Sequence, residues 1–254
     1  MRRGILTCIV LSLTAATSYA ASINGQGTWE TTLQGRLPLS PGGTDYQAYY
    51  DTDLNITWLA DANRTKTSGY DASGQIIWSA AQTWIGTLNT ASYLGVGNWR
   101  LPTVTDTGTS GCDYAFSGTD CGANVDLSTG EMAHMFYSTL GNSSGDNTSG
   151  IQQPCATAAP NFCLRNTGPF SNLQPYNYWS GTDYAPDTSY AWRFLFVNGR
   201  QIIYLKAGGL AGSAFYAWAV RPGDISAVPI PASAWLLGTG LAGLVGRRMR
   251  RSAA

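Results

Sequence analysis

The sequence predicts an α+β domain of short antiparallel strands, two helices and long loops. Three observations carry this. Apolar and polar residues alternate with period two in several stretches, notably on either side of Asn198-Gly199. One stretch switches to three- and four-residue apolar steps, the mark of a helix face, and another carries helix start and stop signals. The 254 residues include 30 glycines, 14 tyrosines and 9 tryptophans but only 12% charged residues. That is a loop-rich, aromatic-rich make-up, unlike the aromatic-poor, highly charged composition of disordered chains.

Each element follows in order. Arg2 and Arg3 precede the apolar run Gly4–Ala15 and the small residues Thr17–Ala21. This is the three-part layout of a secretory signal peptide, read here as residues 1–20, with Cys8 removed along with it. Residues 21–45 form an N-terminal strand and loop: Trp29, Thr31 and Leu33 alternate within Thr28–Gly35, and Pro38–Gly43 is a turn. Tyr46–Asp61 reads as two strands around Asp51–Asn55. Ile77, Trp78, Ala81, Ile85 and Leu88 place a helix from Gly74 to Leu88. Ser128–Gly141 is a second helix, with Ser128 and Glu131 as a capping box and Gly141 as its stop. Ala191–Val197 and Arg200–Lys206 flank Asn198-Gly199, read as a two-residue hairpin turn with positive φ at both positions. Alternation puts Trp192, Phe194 and Phe196 on one face and Arg193 on the other. Ala214–Pro222 adds a last strand.

Charge separates by region. Arg2, Arg3, Arg247, Arg248, Arg250 and Arg251 lie in the two end segments, and all 15 acidic residues lie between them. The central part carries nine basic against fifteen acidic residues, six negative charges net. An acidic domain is a poor partner for nucleic acid, while basic ends mark the cytoplasmic side of a membrane. Four cysteines remain after the signal: Cys112, Cys121, Cys155 and Cys163. An even number in an exported chain points to two disulfides, with three pairings open. Local pairs would each pin one loop. Metal binding is the weaker reading, because neither local pair has the spacing of a zinc site and no histidine sits nearby.

Catalytic chemistry has little to use. The single histidine, His134, falls on the second helix beside Met132, Met135 and Phe136, where a packed structural role is expected. There is no Ser/His/Asp order, no HExxH and no phosphate loop, so no enzyme activity and no cofactor are expected. Asp51, Asp53 and Asn55 offer oxygens at alternate positions, as calcium loops do. Ile56 and Ala62 break the EF-hand pattern, and a hairpin turn is the simpler reading.

Several stretches occur in a telling order: Trp99–Thr103 (WRLPT), Tyr178–Thr182 (YWSGT), Tyr190–Trp192 (YAW), Phe196, Gly199 and Ala217–Gly223 (AWAVRPG). Together they resemble the Lcl C-terminal domain family of bacterial extracytoplasmic domains, over roughly residues 46–224. Tyr50–Gly74 and Gly130–Tyr137 are similar to members that precede a sorting tail. The resemblance implies a mixed fold like C-type lectins and formylglycine-generating enzymes, in which an RLPT segment precedes a helix that begins with an acidic residue. Here a cysteine-bearing insertion intervenes, Glu131 comes 28 residues after Thr103, and Gly181 stands where a serine is commoner. The lectin-like resemblance makes exposed aromatics candidates for stacking on sugars, namely Tyr178, Trp179, Tyr184 and Tyr190.

Residues 225–254 resemble a PEP-CTERM sorting signal: Val228, Pro229 and Pro231, an apolar span, then Arg247, Arg248, Arg250 and Arg251. Ile230 replaces the usual glutamate. The resemblance implies an exosortase-type membrane protease that recognises Pro229–Pro231. The span from Pro229 to Gly246 is about 27 Å long as a helix, just enough for a bilayer core. Its four glycines make it weakly apolar, which suits transient residence. The expectation is an exported protein held briefly at the inner membrane, then delivered to the cell surface or extracellular matrix, where it binds glycan or serves as matrix material. The alternatives are an enzyme on a formylglycine-generating-enzyme-like scaffold and a purely structural surface protein.

Overall fold

The computed structural model describes residues 27–107, 115–208 and 213–225. The signal peptide, Cys112 and the sorting motif from Val228 to Arg251 lie outside the described residues. Seven strands form two antiparallel sheets. They are β1 (Leu33–Pro38), β2 (Tyr46–Asp51), β3 (Ile56–Leu59), β4 (Asn177–Asp183), β5 (Tyr190–Leu195), β6 (Arg200–Leu205) and β7 (Val220–Pro222). The first sheet has the order β1-β2-β3-β7, the second β4-β5-β6. With the short helices α1 (Trp29–Thr32), α2 (Arg64–Thr67) and α4 (Glu131–His134) and the longer α3 (Trp78–Thr90), this is the α+β class expected.

Local chemistry explains most elements. Asp51 closes the β2–β3 turn: its Oδ1 accepts the backbone N–H of Asp53 at 3.0 Å and of Leu54 at 3.2 Å. Asn55 takes φ +51°, tolerable for Asn, and accepts the Tyr50 hydroxyl at 2.9 Å. Helix α3 buries Ala81, Trp84, Ile85 and Leu88 at helical spacing. The segment before β7 joins the sheets. The Phe215 backbone bridges Ile76, Tyr216 bridges Tyr178 of β4, and Val220 pairs with Trp58 of β3. Trp218 sits between, fully buried, 4.5 Å from the ring of Trp58 and 4.7 Å from that of Phe170.

Five expectations are corrected. The strand expected over Thr28–Gly35 begins with α1, because the Thr28 carbonyl accepts N–H and hydroxyl hydrogens of Thr31 and Thr32. The helix expected from Gly74 starts at Trp78: Gly74 has φ +80°, and Ile76 is paired with Phe215. The second helix is three pieces, a 3₁₀ turn (Leu127–Thr129), α4 and a π turn (Met135–Thr139) closed by Leu140 N–H on the Met135 carbonyl. The first piece is capped by Asp126, whose Oδ1 accepts the Ser128 N–H, so no capping box forms. The β5–β6 turn spans four residues, with positive φ at Gly199 only, because Phe196 is drawn into the core and donates its N–H to the Tyr176 carbonyl. The last strand is laddered only from Val220, since the residues before it are shared with the other sheet.

Burial holds the phenols of Tyr49, Tyr93, Tyr137 and Tyr178 above their ordinary value of 10.0, Tyr178 most of all. The unfolded chain ionises near that value and the folded one only above it. The stability these groups lend is therefore whole below it and lost as pH rises through the raised values. In an alkaline titration, ultraviolet absorbance should show these four phenolates appearing together with loss of near-ultraviolet circular dichroism. Smooth ionisation of all tyrosines at retained dichroism would contradict the burial.

Candidate functional site

The motif residues hold the fold. Arg100 of the WRLPT stretch makes a two-pronged ion pair with Glu131 at the start of α4, Nη1 to Oε2 at 2.7 Å and Nη2 to Oε1 at 2.6 Å. The same Oε2 accepts the Thr103 N–H at 2.8 Å, and the Glu131 N–H donates to the Thr103 carbonyl at 3.1 Å. The stretch and the acidic helix start are thus linked across the insertion that separates them. Ser180 of β4 donates its hydroxyl to the Pro102 carbonyl, Gly181 its N–H to the same oxygen, and Thr182 Oγ1 accepts the Val104 N–H. A Cβ on Gly181 would lie 3.3 Å from that of Leu101, so the glycine permits close approach.

The insertion is tied in by Gln201 of β6, which is fully buried. Its backbone pairs with Gly122, and its side-chain Nε2 donates to the Asp120 carbonyl at 2.7 Å and lies 3.2 Å from Thr129 Oγ1. A Cβ on Gly130 would sit 2.0 Å from Gln201 Oε1, so that position requires glycine. Cys155 and Cys163 form a disulfide beside the β5–β6 turn, where the Cys163 N–H donates to the Val197 carbonyl. Cys121 is also disulfide-bonded.

The groups singled out for chemistry fare unevenly. His134 Nδ1 lies 3.3 Å from Thr139 Oγ1, a pairing made by the π turn, but Thr139 is fully buried and its hydroxyl meets no substrate. Asp51 is buried, which raises its carboxyl, and the nearby charge of His134 works against that rise. With Asp51 Oδ1 holding turn amides and Asn55 Oδ1 holding Tyr50, Asp51, Asp53 and Asn55 serve as a hairpin turn. Among the described residues no group of three His, Cys, Asp or Glu side chains is placed to hold a metal ion.

Three of the four candidate stacking residues are buried. Tyr178 and Trp179 are fully enclosed, Trp179 donating its Nε1–H to the Ile76 carbonyl, and Tyr184 is packed on Trp192. They cannot present a ring face to a sugar. Tyr190 is only half-buried. It lines an open concavity of about 510 Å³ with Arg193, Ile202, Ile203, Tyr204 and Leu205, at the outer strand of the second sheet. The Arg193 guanidinium lies 4.4 Å from the Tyr204 ring and 4.7 Å from that of Phe215. One residue beyond the concavity, Lys206 Nζ is 4.3 Å from the Trp78 ring and 2.6 Å from Asp183 Oδ1. Trp78, Arg193 and Lys206 carry no local signal in the sequence that would bring them to this place. Alternation had placed Arg193 opposite the apolar face, but which strand is outermost is a long-range property.

One family match, the Lcl C-terminal domain, covers residues 47–221 and so all of these motifs but the last two residues of Ala217–Gly223. The chain belongs to the Lcl C-terminal domain family. The Lcl C-terminal domain is extracytoplasmic, in keeping with the disulfides. No curated protein and no solved structure matches the chain. In this Lcl C-terminal domain most of the family stretches supply the scaffold, while Tyr190 of the Tyr190–Trp192 stretch lines the open concavity on β5 and β6.

If Arg100 and Glu131 are structural, Glu131→Ala should cost about 2 kcal/mol, since it leaves Arg100 and the Thr103 N–H without their acceptor. Thermal unfolding should fall by about 4–8 °C. An unchanged midpoint would remove the pair from the scaffold.

Proposed function

We propose that the chain is an exported, non-catalytic domain that is held briefly at the membrane by its C-terminal segment. A membrane protease of the exosortase type then releases it to the cell surface or extracellular matrix, where it binds polysaccharide. The observation that carries the binding reading is the concavity beside β6. Aromatic side chains and a guanidinium line it, an arrangement suited to a sugar ring with a flat apolar face and polar edges. The reading of the tail rests on the order of prolines, apolar span and arginines in residues 228–251. Among the described residues no helix is long and apolar enough to cross a membrane, so the tail is the segment to which anchoring is assigned.

Tyr190→Ala should weaken retention on the producing organism's own polysaccharide about fivefold, the effect of losing about 1 kcal/mol of ring contact. Thermal stability should fall by no more than a few degrees, because Tyr190 is only half-buried. Equal retention of wild type and variant, or none by the wild type, would end the binding reading. Mass spectrometry of the secreted protein should find a C-terminus near Pro229–Pro231, and one still at Ala254 would end the sorting reading.

A further inference from the structure

Tyr176, just before β4, is 43% exposed. Its backbone is fixed: the carbonyl accepts the Phe196 N–H at 2.9 Å, and the N–H donates to the Gln174 carbonyl at 2.8 Å. The ring stands edge-on to Phe215 at 6.4 Å and to Tyr216 at 6.0 Å. Phe215 is buried, and its ring is also 5.1 Å from that of Tyr204 and 4.7 Å from the Arg193 guanidinium. Tyr204 and Arg193 line the concavity. Tyr176 is therefore one buried ring away from the concavity wall. Among the described residues it is the exposed aromatic whose ring contacts lead there. Tyr190 opens β5, and Phe196, which binds the Tyr176 backbone, follows its end. The two tyrosines thus mark opposite ends of a six-residue strand, about 20 Å apart.

A ring platform for a sugar needs polar groups at its edge. Beside Tyr176 these are present. Gln75 Nε2 donates to the Tyr216 hydroxyl at 3.2 Å, and among the described residues none donates to Gln75 Oε1. Midway lies the Arg193 guanidinium, held flat on two rings and carrying five N–H donors in a fixed fork. A single sugar fills one platform and cannot reach the other. We propose that Tyr176 is a second stacking platform, and that the site is a track along β5, from Tyr190 past Arg193 to Tyr176. It takes a stretch of polysaccharide chain rather than a terminal sugar. The track rests on the reading of the concavity as a sugar site. Once one platform is filled, the next contact with the same chain is intramolecular, so two weak contacts add without a second loss of freedom. The sheet fixes their spacing beforehand, which lowers the cost of ordering the site.

The test titrates the secreted protein with the producing organism's own polysaccharide, cut into fragments of graded length. Wild-type affinity should climb with length and level off once a fragment spans about 20 Å, the length of the strand beneath it. Tyr176→Ala should abolish the climb, binding the longest fragments about fivefold more weakly and the shortest as the wild type does. Retained binding of the shortest fragments also marks the variant as folded. Tyr176→Phe keeps the ring and should keep the climb. Tyr190→Ala should weaken binding at every length. Equal wild-type affinity at all lengths, or a climb that survives Tyr176→Ala, would overturn the track and leave the concavity as a site for one sugar. Failure of the wild type to bind any fragment would end the sugar reading and the track with it.

Discussion

Burial of the Trp218 indole is the constraint on which the rest of the structure depends. The ring has no solvent contact, yet its N–H is satisfied by the Leu59 carbonyl at 2.8 Å. Leu59 belongs to the first sheet, while the rings of Tyr178 and Phe196, at 6.2 and 6.1 Å, belong to the second sheet and its turn. One side chain therefore carries both the hydrogen bond to one layer and the edge contacts to the other. Removing it would open a large cavity and orphan a buried carbonyl, two costs that do not offset each other. The threading of residues 215–222 between the sheets follows from it, since no other path brings that ring to that place.

The family stretches divide their labour around this centre. Arg100, Glu131, Ser180 and Thr182 are polar, yet their partners are other parts of the scaffold. A charge pair such as Arg100–Glu131 can look like an active site on paper. Here both carboxylate oxygens are occupied by the scaffold, one of them twice.

How much of this was legible depended on range. The buried side of α3 could be read from Ala81, Ile85 and Leu88, because helical period is local. The placing of Trp192, Phe194 and Phe196 on the face opposite Arg193 was equally local. The β5–β6 turn misled because Asn198-Gly199 signals a tight turn, whereas the pull on Phe196 comes from the core. Glu131 misled because its partner, Arg100, lies 31 residues away. Tyr178, Trp179 and Tyr184 misled for a related reason. Local pattern does not tell what covers a side chain: Trp179 is covered by Ile76 and Phe215, Tyr178 by Tyr216 and Trp218, and Tyr184 by Trp192. Tyr190 escaped burial by standing at the end of β5.

The pairing of Gln201 with Gly122 has a further consequence. An open sheet edge is a template for another chain, and long bare edges invite stacking of identical molecules. On β6 the first outward-facing position is taken by Gly122, and the loop that brings it carries the disulfide-bonded Cys121. The insertion that interrupts the family pattern is therefore also a plug. Where many copies of the domain crowd together, it shortens the edge along which they could zip into fibrils. Solubility at high density would then depend on a loop anchored in the core by the buried Val125.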